Sequence, residues 1–238
     1  FIIKSGRALV IPVLWGTYER NVGLDTTWPK NTREYSDNVV KWIQDFKRTV
    51  DYLETRPDMD LDRLGFYGFS WGGWNGPIVL ALDERFETGA FLSGGIPPTL
   101  ARPEASSASF ARRVTQPVLM ISGEHDVIRP VATYQAPLFE SLGTPEHLKR
   151  HAILNGGHLP PKGEIIVEVL TWFDKYLGEV ELYAEYVHFV ETSQGLSGVE
   201  KEILGRERND DVRLAQVHGD IATARLLGPE RAHQLLVG

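Results

Sequence analysis

The 238-residue chain contains no cysteine. That excludes disulfides, thiolate metal centres and cysteine nucleophiles, and it permits a reducing compartment, so a cytoplasmic location is expected. Positive charge is scarce: 25 Lys and Arg stand against 32 Asp and Glu, for a formal net charge of −7. A chain without a basic excess releases few counterions from a polyanion, which argues against nucleic acid or an anionic membrane surface as the main partner. No run of about 18 uncharged apolar residues occurs, so no membrane-spanning helix is expected. The patterns G-x-x-x-x-G-K-[S/T], G-x-G-x-x-G and H-E-x-x-H are also missing, which removes the usual support for nucleotide or zinc chemistry. No cofactor and no metal are expected. What is present is ample material for a core: 42% hydrophobic residues, with six Trp, ten Phe and eight Tyr. The chain starts at Phe1 with no signal-like pattern, and it reads as part of a longer polypeptide.

Element types alternate along the chain. Residues 9–14 form a short apolar run that predicts a strand buried on both faces. Val39, Ile43, Phe46, Val50 and Leu53 recur at helical spacing and predict an amphipathic helix, with Ser36 or Asp37 as its N-cap. Further strands are predicted at 64–67, 89–92, 118–121 and 152–154. Helices are predicted around 78–82 and 132–142, and a last one ends at Gly178. Strands separated by helices imply an α/β fold, a mainly parallel sheet with helices on both faces. In such sheets chemistry gathers at the carboxyl ends of the strands. The expected division is an α/β core at 1–179 and a largely helical accessory segment at 180–238. Past residue 180 the texture is more polar, with ten acidic residues against six basic ones. Residues 180–190 fit either a strand or a helix.

Gly68-Phe69-Ser70-Trp71-Gly72 fits G-x-S-x-G between a predicted strand and a predicted helix. A serine on such a sharp turn sits in strained backbone, and the flanking glycines are expected to let the turn close. Ser70 is the candidate nucleophile, and the amide of Trp71 the candidate oxyanion donor. A serine hydroxyl needs a base, and the base an orienting carboxylate, in the chain order serine, acid, histidine. Asp126 lies 56 residues after Ser70, just past the strand at 118–121. His158 lies 32 residues after Asp126, just past the strand at 152–154. Glu124 competes with Asp126 as the acid, and Asp126 is preferred because a few loop residues are needed to reach the histidine. His147 and His151 are four apart, but without a third ligand nearby they are not read as a metal site. Trp74 fits either a substrate pocket or core packing. Tyr18 and Arg20 are candidates for substrate contacts at the mouth of the site.

These residues resemble the α/β-hydrolase superfamily, and within it the prolyl-oligopeptidase and dienelactone-hydrolase branch of bacterial serine hydrolases. The resemblance spans residues 1 to about 178. It rests on Pro12-Val13-Leu14-Trp15-Gly16-Thr17-Tyr18-Glu19-Arg20, Asp60-Leu61-Asp62-Arg63-Leu64, Gly68-Phe69-Ser70-Trp71-Gly72-Gly73, Gly123-Glu124-His125-Asp126 and Gly156-Gly157-His158. It implies a serine hydrolase with Ser70 as nucleophile, His158 as general base and acid, and Asp126 as its orienter. Relatives carry three further strands before the one expected at 9–14, and a loop there supplies a second oxyanion donor. By that comparison the first strands are lacking and this chain is expected to be a weak catalyst. Ser70 and Asp126 are too close in sequence for a large lid between them, which favours small acyl substrates. The leading expectation is cleavage of carboxylic esters through an acyl-enzyme. The alternatives are a prolyl-oligopeptidase-like serine peptidase and a non-catalytic binding module. The expected partner is a small-molecule ester or peptide substrate, with no nucleic acid and no membrane.

Overall fold

The strands predicted at 64–67, 89–92, 118–121 and 152–154 are all present in the computed structural model, which describes residues 1–24, 28–95 and 101–180. They are β1 (Gly65–Phe69), β2 (Thr88–Leu92), β3 (Val118–Gly123) and β4 (Lys149–Leu154). All pair in parallel, in the order β1-β2-β3-β4. The two central strands, β2 and β3, are buried along their whole length. Five α-helices accompany the sheet among the described residues: α1 (Arg33–Glu54), α2 (Trp71–Leu82), α3 (Ser107–Ala111), α4 (Ala136–Ser141) and α5 (Lys162–Leu177).

Strand alternation decides which helix covers which face. Phe66 and Phe91 point to α2, where a Cβ on Gly76 would strike both rings. Phe46 of α1 meets Phe66 edge-on at 5.8 Å on that same face. The neighbouring Gly65 points the other way, and a Cβ there would meet Leu177 and Phe173 of α5. Trp172 of α5 donates its indole N–H to Thr88 at 2.8 Å, which anchors α5 to β2. Helices therefore cover both faces, as expected. The described residues from Ile11 to Glu179 form one compact unit. The expected accessory segment lies outside the described residues beyond Val180. No helix among the described residues is long and apolar enough to cross a membrane.

Two local expectations need correction. The first is the start of α1, which lies a turn earlier than Ser36 or Asp37. Thr32 caps it, with extended backbone and a side-chain oxygen that accepts the Tyr35 N–H at 3.2 Å. Ser36 is already inside the first turn, buried, with its hydroxyl against the Thr32 carbonyl oxygen at 3.3 Å. A threonine oxygen satisfies a helix-start N–H that water would otherwise have to reach, so the helix begins where that oxygen is.

The second is the run at 9–14, which forms no strand. Apolar character does not make a strand without a neighbouring backbone to pair with. Here Leu14 alone enters the core, while Ile11 and Val13 stay exposed. Three side chains, two of them from α1, hold this stretch of backbone. Trp15 N–H donates to Asp45 at 2.7 Å, Trp42 Nε1 donates to the Trp15 carbonyl at 2.8 Å, and Arg20 donates to the Val13 carbonyl at 2.8 Å.

Thr32→Ala is expected to lower stability by about 1 kcal/mol. Thermal unfolding would register this as a midpoint lower by roughly 2–4 °C.

Candidate active site

The site is built where parallel strands end side by side. Ser70 follows β1 directly and precedes the first residue of α2. Its φ of 52° and ψ of −101° place a non-glycine residue in left-handed backbone, a strained conformation that needs support from its surroundings. That support includes the Ser70 N–H, which donates to the Leu92 carbonyl of β2 at 2.7 Å. Glycines make room for the turn, but not the pair expected. A Cβ on Gly68 would collide with the backbone of Gly72 and Gly73, whereas one on Gly72 meets nothing within 4 Å. The second tight position is Gly73, where a Cβ would sit 2.8 Å from the Leu92 carbonyl oxygen. Close approach of α2 to the sheet therefore depends on Gly73.

Asp126 and His158 come from adjacent strand ends. Gly123 and Leu154 are register partners at the ends of β3 and β4. Beyond them the two loops continue to pair, with Glu124 N–H donating to the Leu154 carbonyl at 2.8 Å and His125 N–H to the Gly156 carbonyl at 2.9 Å. His158 Nε2 lies 2.8 Å from Ser70 Oγ, and His158 Nδ1 lies 2.8 Å from Asp126 Oδ2. Ser93, also in left-handed backbone at φ 50°, donates its hydroxyl to the His158 carbonyl at 2.6 Å and pins that loop. Phe69 packs its ring against the His158 imidazole at 5.5 Å.

The Asp126 side chain is fully buried, and four donors compensate its charge. Oδ1 accepts the backbone N–H groups of Ile128 and Arg129 at 2.9 and 2.8 Å. Oδ2 accepts His158 Nδ1–H and, at 3.2 Å, Gln135 Nε2–H. With Nδ1 donating, a neutral His158 presents a bare Nε2 to the Ser70 hydroxyl, the arrangement that can accept a proton from it.

The other sequence candidates fall out differently. Glu124 and His125 are exposed on the loop. Trp71 opens α2, with its ring edge-on to Trp42 at 4.9 Å. Trp74 is 1% exposed and edge-on to Trp28 at 5.5 Å, a packing position. Arg20 is held at 2.8 Å by Asp45 of α1 as well as by the Val13 carbonyl. Tyr18 is 81% exposed, and no contact among the described residues links it to Ser70 or His158. His147 is exposed, and no group of three or more potential metal ligands occurs among the described residues.

Sequence reasoning missed Arg129, Gln135 and Ser122, and it weighed His151 only as a metal ligand. Arg129 is buried, with its guanidinium 5.1 Å from the Trp28 ring centre and 4.9 Å from that of Trp74. Among the described residues its Nε and Nη1 have no hydrogen-bond partner, and burial lowers its pKa. The two indole faces stand in for the missing acceptors. A polar residue nine positions after an acid has no signature in sequence, so nothing marked Gln135.

Gly123 lies hard against the second of these loops: a Cβ there would run into the carbonyl oxygens of Gly156 and Gly157. Gly123→Ala is expected to push the Asp126 and His158 loops apart. Reaction of Ser70 with a fluorophosphonate should then slow about 10-fold or more, and thermal unfolding should shift down.

Comparison with known proteins places this chain in a family. The model of the dienelactone hydrolase family matches residues 12–142, more than half of the chain, with Ser70 and Asp126 inside the matched span and His158 beyond it. No curated protein matches the chain. Among solved structures, it is similar to a cold-adapted esterase from an Arctic intertidal metagenomic library. In its native form that esterase is 24% identical, with 66% of each chain covered and a TM-score of 0.50. Its polyethylene glycol complex, also 24% identical, aligns over 68% of this chain and 66% of that one, with a TM-score of 0.52. A protein from Klebsiella pneumoniae subsp. pneumoniae, provisionally described as a dienelactone hydrolase, is 17% identical over 58% of this chain and 62% of that one, with a TM-score of 0.51. The chain thus spans just under two thirds of the length of these solved proteins. The parallel sheet with helices on both faces is the α/β-hydrolase fold, and the chain belongs to the dienelactone hydrolase family of hydrolases.

Proposed function

We propose that the chain cleaves carboxylic esters through an acyl-enzyme formed on Ser70, with His158 as general base and then acid and Asp126 as its orienter. The observation that carries this reading is the unbroken line of hydrogen bonds from Ser70 Oγ through both ring nitrogens of His158 to Asp126 Oδ2, at 2.8 Å for each contact of the imidazole. His158 takes the Ser70 proton as Oγ attacks the acyl carbon, and delivers it to the departing alkoxide. Water then repeats the sequence, with His158 again as base, and the acid product leaves. The negative oxygen that develops sits at the start of α2, where the Trp71 amide is the proposed donor and the helix dipole favours anionic charge. Ser70 is partly accessible and the Asp126 carboxylate is sealed, which suits a nucleophile that meets substrate and an acid that does not.

A fluorophosphonate probe is expected to label Ser70, and p-nitrophenyl esters of short acids to be turned over. Ser70→Ala should abolish both while leaving thermal unfolding unchanged. Preference for Pro- or Ala-nitroanilides over esters would replace the esterase reading with a peptidase one, and a folded chain that fails to label would favour a binding module. Asp126→Asn, which holds His158 in the wrong tautomer, should reduce kcat by about 10⁴-fold.

A further inference from the structure

Behind Asp126 the hydrogen bonds continue. Gln135 Nε2 is 3.2 Å from Asp126 Oδ2 and 2.6 Å from the Arg129 carbonyl oxygen. Both neighbours are pure acceptors, so the amide nitrogen must face them and its two protons are both used. The Gln135 carbonyl oxygen is then fixed in the opposite direction, 2.5 Å from Ser122 Oγ. That oxygen can only accept, so the Ser122 hydroxyl donates to it. Ser122 Oγ is left as the acceptor for His151 Nε2 at 2.6 Å, and His151 therefore carries its proton on Nε2. Burial lowers the pKa of His151, and Nε2 donates in the neutral ring and in the charged one alike. Every proton from His151 to Asp126 is thus assigned without a free choice.

The surroundings make this chain of bonds rigid. Gln135 and Ser122 are fully buried. Gln135 closes a wide π-type turn, Val131–Gln135, in which the Ala136 N–H reaches back to the Val131 carbonyl. Such turns insert one extra residue into a helix and redirect a side chain. The His151 ring packs on Phe139 at 5.2 Å. Asp126 Oδ2 thus accepts from the base His158 on one side and from a locked amide on the other.

We propose that Gln135 is a positioning residue: by donating to Asp126 Oδ2 while Ser122 and His151 fix its own orientation, it holds the carboxylate at the angle that orients His158. This deepens the esterase reading and rests on it. Gln135 touches neither substrate nor Ser70, and acts through Asp126 alone.

The test is a double-mutant cycle on the full chain, read as p-nitrophenyl ester kinetics alongside thermal unfolding. Gln135→Met keeps the length and removes both donors. It is expected to lower kcat about 10- to 100-fold with KM within about twofold of wild type. In an Asp126→Asn background the same change should cost less than about twofold, because the group it acts through has gone. The downfield proton resonance of His158 Nδ1–H should shift or broaden in Gln135→Met. Ser122→Ala, which leaves Gln135 in place and loosens it, should lower kcat about 5-fold, and it carries the test alone if Gln135→Met does not fold. Equal losses from Gln135→Met in both backgrounds, an unchanged kcat, or a loss in KM alone would overturn the proposal. If only Ser122→Ala folds, an unchanged kcat overturns it. Wild-type chain that neither labels at Ser70 nor turns over ester would overturn the esterase reading and this proposal with it. Labelled, active wild type with an unaffected Gln135→Met would overturn this proposal alone.

Discussion

A carboxylate sealed from water must find its compensation inside the protein or give up its charge, and Asp126 is such a group. Its side chain has no exposure, and each oxygen takes two donors. Oδ1 obliges the backbone at 128 and 129 to curl back over it. Oδ2 obliges two separate segments, one bearing His158 and one bearing Gln135, to converge on a single atom. The parallel sheet makes this possible. β3 and β4 end in register at Gly123 and Leu154, so their loops leave together and stay paired for two more residues. The strained serine turn between β1 and α2 then needs only to present one hydroxyl to the far side of the imidazole.

Much of this is legible from local sequence, because local physics produces it. An apolar run at 118–121 between turn residues becomes a buried strand wherever a parallel sheet is available, and the spacing from Val39 to Leu53 admits one helix face. Ser70, Asp126 and His158 could be picked out because each lies a few residues past such a run, and strand ends in a parallel sheet lie on one edge. Where the outcome depends on a distant partner, the sequence is silent. Residues 9–14 have the composition of a strand but no described neighbour to pair with. The start of α1 turned on which oxygen reaches an orphan N–H, and Thr32 does. The G-x-S-x-G pattern drew attention to Gly72, whereas the packing of α2 on β2 made Gly73 the constrained one.

The polar side chains around Asp126 were less legible still. Ser122, Gln135 and His151 come from a strand end, a turn and a neighbouring strand, and no spacing rule connects them. Arg129 shows the same limit. Nothing in the sequence marks it, because its guanidinium rests against two indoles supplied by distant segments, and from Arg129 itself Asp126 Oδ1 takes only the backbone N–H. The arrangement of these four residues follows from tertiary packing, which brings a strand end, a turn and a neighbouring strand together.

The wide turn at Val131–Gln135 carries a consequence for how this part of the molecule tolerates length change. A residue removed from it would let α4 run as an ordinary helix, and the backbone hydrogen bonding would improve. Yet each residue of an α-helix advances by about 100°, so the amide that now faces the carboxylate would swing roughly a quarter-turn aside. A shortening that looks harmless, or even favourable, in an alignment of sequences would thus unhook the acid from its support.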